Sequence, residues 1–292
     1  MAKKIQLMII DPQSSFCKKV DPAEQQVIHD GELCVPGAWE DMERLATFIE
    51  KGGKILDDIK ITLDSHHAFH IAHPMWFVNA QTGARPDPFT TMRYENDKII
   101  GGTFNPDGSI TDIGEFRTVR QGLMKWTTDY LKSLATGGRY PHMIWPYHCL
   151  IGTPGYNIVA PLFNVILDWE TSNVAQATLL TKGSNFKTEH FSAVRAEVTD
   201  PEDQMTQLNT DFIGLFSEAD EILLAGEARS HCLANTVRDM AEYFTDDSFI
   251  KKCVLLTDAT SDVGGLEHLG EQFVSDMKAK GMQVTTTVDY LA

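Results

Sequence analysis

Six short runs rich in Ile, Leu and Val, separated by amphipathic stretches, constrain this chain more than any other feature. They are "KIQLMII" (Lys4 to Ile10), "IKITL" (Ile59 to Leu63), "ATLLT" (Ala177 to Thr181), "EILLAG" (Glu221 to Gly226), "CVLLTD" (Cys253 to Asp258) and "QVTTTV" (Gln283 to Val288). Most are near-continuous rather than alternating, the pattern of strands covered on both faces. The last alternates, which predicts an edge. "WEDMERLATFIEKG", "DQMTQLNTDFIGLFSEA", "HCLANTVRDMAEYF" and "GLEHLGEQFVSDMKAKG" carry helical spacing between them. Strand alternating with helix predicts an α/β fold of three layers, α/β/α, around a six-stranded, mainly parallel sheet. Ligands of such sheets sit at the carboxyl ends of the strands.

One region breaks the rhythm. From Pro74 to about Tyr140 the chain is rich in Gly, Pro, Asn and Asp, with one expected helix in "GEFRTVRQGLMKWTTDYLKSLA". That is too long for an ordinary connection. We read 1–292 as a single domain with an insertion at about 74–140. With 292 residues, 42% of them hydrophobic, the chain can bury a sizeable core.

The formal net charge is −16, a poor match for phosphate backbones, so nucleic acid is not an expected partner. There are 5 cysteines, an odd number without C-x-x-C spacing. "MAKKIQLMIID" has no long apolar run followed by a cleavage site, and no stretch approaches the roughly 20 apolar residues of a membrane span. The expectation is a cytoplasmic protein with reduced thiols and no membrane partner.

Polar residues gather where strands end. The first run ends in Asp11 ("IIDPQSSF"), the second in Asp64 ("LDSHHAFH") and the third in Lys182 ("LLTKGSNF"); the fourth runs into the turn before Cys232 ("AGEARSHCLANT"). A cysteine in the first turn of a helix is commonly a small buried hydrophobe. It is also where a thiolate is favoured, more so with an ammonium nearby. Lys182 can supply that ammonium or be a solvated surface lysine. Asp11 can be a general base or a cap. Asp64 and His66 are two apart at a strand end, so both side chains point the same way. "IWPYHC" offers His148 as a third ligand. One Asp and two His with open positions suit Zn²⁺, Fe²⁺ or Mn²⁺.

In combination these segments resemble the isochorismatase-like cysteine hydrolases, and among them the nicotinamidases. "DPQSSF" resembles D-x-Q-x-x-F, "DSHHAFH" the pattern D-W-H-P-x-x-H, "WPYHCLIGTPG" the segment W-P-x-H-C-x-x-x-T-x-G, "LLTKG" the strand ending in a catalytic lysine, and "AGEARSHCLANT" G-x-A-x-x-x-C-V-x-x-T. The resemblance implies catalytic Asp11, Lys182 and Cys232, and metal ligands Asp64, His66 and His148. It further implies a cis peptide and oxyanion hole at Glu227 and Ala228, and a substrate pocket using Gln13 and Phe16. It covers nearly the whole chain outside the insertion. The family departs from this chain at Ser65, where Trp is usual, and at His67, where Pro is usual.

The activity so implied is a metal-assisted cysteine amidohydrolase. It would release ammonia from a small carboxamide such as nicotinamide through a thioester. Its cofactor would be one divalent ion, zinc first, with iron and manganese as alternatives; its partner a small-molecule amide; its assembly a homo-oligomer. Other readings are a superfamily hydrolase of a different amide or a vinyl ether, and a non-catalytic binding protein on the same fold. The insertion leaves the chain near His66 and returns near His148, so its aromatic residues Trp76, Phe77, Phe89, Tyr94 and Trp126 are expected beside the pocket.

Overall fold

Alternation along the first strand splits the core in two. In strand β1 (Ile5–Ile10), Ile5, Leu7 and Ile9 pack with Met42, Leu45, Phe48 and Ile49 of helix Ala38–Gly52 and with Leu162, Val165, Ile166 and Trp169 of helix Ala160–Asn173. Met8 and Ile10 face the other way, onto Val237 and Met240 of helix Ala234–Tyr243 and Phe273 and Met277 of helix Glu267–Ala279. Each such side chain taken from water contributes on the order of 1.5–3 kcal/mol, and the two faces together dictate three layers.

The computed structural model describes residues 3–105 and 109–292. The remaining strands of the central sheet are β2 (Asp58–Asp64), β3 (Thr178–Lys182), β4 (Glu221–Gly226), β5 (Cys253–Leu256) and β6 (Gln283–Thr285). Their spatial order is β3-β2-β1-β4-β5-β6 and every neighbouring pair is parallel. All six apolar runs are strands, and the alternating one, β6, is at an edge. Among the described residues no helix is long and apolar enough to cross a membrane.

Two helix expectations fail. Helix Ala160–Asn173 was not anticipated, because the exposed Phe163 and Leu167 blur the stripe of Leu162, Val165, Ile166 and Trp169 that it buries. The stretch "DQMTQLNTDFIGLFSEA" holds only a 3-10 turn at Gln204–Thr206 and a short helix at Thr210–Gly214.

The insertion is more ordered than its composition suggests. Strands Phe77–Asn79, Thr90–Glu95, Lys98–Phe104, Ile110–Thr118 and His142–Met143 form a separate antiparallel sheet. Asn96 and Asp97, both at positive φ, make the two-residue turn that fits the twist of the hairpin around them. Gly114 to Thr118, expected to start a helix, belong to a strand instead, and the helix runs over Met124–Gly137. Trp76, Phe77, Met92, Ile99, Phe116, Tyr130 and Leu131 form a third apolar cluster of the insertion's own.

Candidate active site

Four adjacent strands, β3-β2-β1-β4, deliver the four polar ends to one place. Lys182 closes β3 and lies in register with Asp64, the last residue of β2. Asp11 follows β1 directly, at φ 42, a conformation aspartate tolerates better than most residues. Its amide is held by Thr62 O and Thr62 Oγ1 at 3.1 and 3.0 Å. β4 ends at Gly226, which sits in register with Ile10 at φ 105; a Cβ there would meet Ile10 O at 2.0 Å. The Glu227–Ala228 peptide is cis, and a π-helical turn, Arg229–Leu233, carries Cys232 into the following helix.

Lys182 is the hub. Its Nζ lies 3.0 Å from Asp11 Oδ2 and 3.0 Å from Asp64 Oδ1. It donates to His190 O at 2.7 Å and to Cys232 Sγ at 3.7 Å. Burial lowers the ammonium's pKa, but Asp11, Asp64 and Cys232 outweigh it and hold Lys182 charged, well above the usual lysine value. Burial pushes the Cys232 thiol well above its ordinary pKa; Lys182 pulls it down, while the Asp11 and Asp64 charges and a hydrogen bond to Asp11 raise it. Burial also raises Asp11, against the pull of Lys182 and of the 2.6 Å hydrogen bond that Thr62 Oγ1 donates to Oδ1. The shifts favour a thiol at Cys232, and the Asp11 carboxyl beside it is paired with the Lys182 ammonium.

Asp64, His66 and His148 place ligand atoms all within 4.8 Å of one another. The segment holding His148 is tied to His66 by a parallel bridge: His66 N donates to Cys149 O and Ile151 N to His66 O, both at 3.0 Å. His66 Nδ1 bonds Gly183 O at 3.2 Å, and His148 Nδ1 bonds Pro146 O at 2.8 Å. A carbonyl only accepts, so both Nδ1 atoms carry a proton, and each Nε2 faces Asp64, where it donates to the carboxylate when protonated and offers a lone pair to a metal when not. His66 Nε2 is buried without a hydrogen-bond partner and stands 2.9 Å from Asp64 Oδ2, with His148 Nε2 at 3.3 Å from the same oxygen. Burial pushes Asp64 up, but His66, Lys182 and the hydrogen bonds from His148 and His66 hold it well below the usual carboxylate range. A charged carboxylate with two imidazole lone pairs is a donor set that fits a divalent metal. Glycine at 183 is required here: it sits at φ 82, and a Cβ would come within 2.7 Å of Asp64 Oδ1.

The cavity beside Cys232 has a volume of about 30 Å³, room for roughly one or two waters. Phe16, Asp64, His148, Ala228 and Cys232 all line it. Gln13, expected in the pocket, does not. It is fully buried, and its amide is spent on backbone: Asp64 N donates to Oε1 at 2.7 Å, while Nε2 donates to Asp64 O and Tyr156 O at 2.8 Å each. Ser65, at the usual Trp position, donates to Leu63 O at 3.0 Å. None of the described residues of the insertion from 74 to 140 lines this cavity. Trp76 and Phe77 fill the insertion's own core, and Trp126 donates to Lys187 O at 2.7 Å.

Sequence reading missed several residues in and around the site. Glu189 lines the wall with Oε1 on its neighbour's amide (His190 N, 2.9 Å) and Oε2 buried without a partner. His231 is packed among Tyr140, Trp145 and Phe191 at 4.9–5.7 Å between ring centroids, and burial lowers it to about 3. His70 and His73 lie against His66 at 4.5 and 5.2 Å, each with a buried Nε2 lacking a partner. The only advance signal was the density of histidines in "DSHHAFHIAHP"; Glu189 sits in a loop with no period to reveal it.

The α/β/α fold is one shared with solved nicotinamidase structures. Among solved structures, the chain is similar to the yeast nicotinamidase Pnc1p bound to the inhibitor nicotinaldehyde, with 17% identity over 97% of this chain and 99% of that one and a TM-score of 0.57. It is similar to the Acinetobacter baumanii nicotinamidase/pyrazinamidase at 17% identity, over 99% and 98% of the two chains, with a TM-score of 0.58. The pyrazinamidase of Pyrococcus horikoshii in complex with zinc gives 16% identity, 97% and 99% coverage, and a TM-score of 0.50. No protein-family model matches the chain, and no curated protein matches its sequence.

Proposed function

We propose that this protein is a metal-assisted cysteine amidohydrolase that releases ammonia from a small primary carboxamide of the nicotinamide type. The observation that carries the reading is the placement of Lys182 Nζ, 3.0 Å from Asp11 Oδ2 and 3.7 Å from Cys232 Sγ, behind a cysteine that lines a cavity together with Asp64 and His148. A non-catalytic binding protein has no use for a buried ammonium held between two carboxylates and aimed at a thiol.

On substrate binding, Asp11 takes the proton from Cys232 and the thiolate attacks the amide carbon. The charge on Lys182 favours the thiolate. The backbone N–H groups of Ala228 and Cys232 hold the oxyanion. As the tetrahedral intermediate collapses, the C–N bond breaks and Asp11 gives its proton to the leaving nitrogen, releasing ammonia and leaving a thioester. Water attacks the thioester with Asp11 again accepting the proton. The C–S bond breaks, the carboxylic acid leaves, and the thiol is restored. Asp64, His66 and His148 hold one divalent ion, which we assign as zinc from two imidazoles and one carboxylate; the Pyrococcus horikoshii pyrazinamidase was crystallised with zinc. When bound, the ion supplies a Lewis acid at the cavity wall that orients a ring nitrogen or a water.

Ammonia release from nicotinamide and pyrazinamide tests the reading, with Cys232→Ala as the control. We expect turnover in the wild type and a loss of 10³-fold or more in the variant, in line with nucleophile removal elsewhere. Comparable rates in Cys232→Ala would overturn the mechanism.

A further inference from the structure

The cavity at Cys232 is tight, and a much larger space adjoins it. A groove of about 880 Å³ runs between the insertion and the segment Val263–Glu267. Phe89, Phe104, Ile113 and Met143 line one wall, and Val263 and Leu266 the other. Val263 lines both the groove and the cavity at Cys232, so the two spaces meet at that residue. A second contact joins them: Trp145 of the cavity meets Phe89 of the groove edge-on, with centroids 5.9 Å apart at 87°. Phe89 is 49% exposed and Ile113 44% exposed, so two large apolar side chains stand open to water on the same path. Among the described residues, the charged ones lining the groove are Asp87 and Glu267, and none is basic. That lining repels an anionic ligand and favours a neutral apolar one.

We propose that this groove is the acyl subsite of the enzyme. The carboxamide end of the substrate enters the cavity at Cys232, and a neutral, apolar tail on its acyl side passes Val263 and lies along Phe89, Ile113 and Leu266. The substrate class is then a primary carboxamide with an extended hydrocarbon or aryl-alkyl acyl group, which leaves as the corresponding carboxylic acid. The inference rests on the amidohydrolase reading. It gives the insertion a role: the insertion builds one side of the subsite while staying out of the catalytic cavity. Continuity with that cavity is what selects a substrate tail as the occupant.

The test is a chain-length series. Ammonia release is measured for nicotinamide and for straight-chain amides from butanamide to decanamide, with the wild type and with Ile113→Glu and Phe89→Ser. Both positions are exposed, so the variants should fold, and thermal unfolding checks this. We expect kcat/KM of the wild type to climb with chain length, by up to about fourfold per methylene. In either variant the ratio of decanamide to butanamide kcat/KM should fall at least tenfold. A flat or falling series with nicotinamide turned over overturns the subsite and leaves the amidohydrolase reading in place. A rising series that both variants leave unchanged also overturns it, since the tail then binds elsewhere. Absence of ammonia from every amide overturns the amidohydrolase reading, and the subsite with it.

Discussion

Replacing Gln13 with methionine should damage the proposed metal site from behind. The side chain keeps its length and volume, so packing changes little, but three buried hydrogen bonds vanish: Asp64 N to Oε1, and Nε2 to Asp64 O and to Tyr156 O. The two donated by Nε2 are worth about 1 kcal/mol each net, and the Asp64 N–H left without an acceptor costs about 1–3 kcal/mol. The total is roughly 3–5 kcal/mol, within the 5–15 kcal/mol typical of a folded domain, so the variant should fold with Tm lower by on the order of 10 °C. The larger consequence is positional. Asp64 bridges Lys182, His66 and His148, and loosening its backbone should weaken zinc binding by about 10–100-fold, the usual cost of removing a support behind a ligand. Competition with a chromophoric chelator gives the affinity, and calorimetry gives the Tm on the same preparation. Zinc affinity within twofold of wild type, alongside the lowered Tm, would mean that Gln13 supports the fold and does not position the ligand. A raised KM for small amides with unchanged zinc affinity would instead restore Gln13 to the substrate pocket.

Two further tests follow from single side chains. Thr62→Val removes the hydrogen bond to Asp11 Oδ1; a bond to a charged group is worth about 1.5–3 kcal/mol, so kcat should drop roughly 10–100-fold with KM little changed, and a kcat within twofold of wild type would remove Thr62 from the mechanism. Burial raises Glu197 to about 7, against the pull of Arg139. The native state therefore binds this proton more tightly than the unfolded chain does, and stability falls as pH rises from about 4.5 to about 7. Glu197→Gln should abolish that slope, gaining about 1–3 kcal/mol at pH 8 relative to its difference from wild type at pH 5; urea unfolding curves of the two proteins that keep a constant offset across this range would refute it.

The sequence by itself determined the six strands, most of the helices between them, and the polar residues at the strand ends. Burial on both faces of a parallel sheet demands continuous apolar runs, and such a run must stop where the chain leaves the core, so Asp11, Asp64, Lys182 and the Cys232 turn were visible as boundaries. A resemblance carried by five ordered motifs assigned each of them a role in advance, and the proposed mechanism uses those roles. Strand order was not legible. Nothing local says that β3, β2, β1 and β4 are consecutive neighbours, yet only that order, with Lys182 in register with Asp64, brings one ammonium within 3.0 Å of two carboxylates. Tertiary structure also reassigned individual side chains. Gln13 has the right position in its motif but turns its amide onto the Asp64 and Tyr156 backbone. The insertion's Trp76 and Phe77 turn away from the cavity at Cys232 into a separate cluster that also takes in Ile71 and Ile144. Local periodicity records which residues leave water; which partner each one meets is decided by contacts between segments far apart in the chain, and those exist only in the folded molecule.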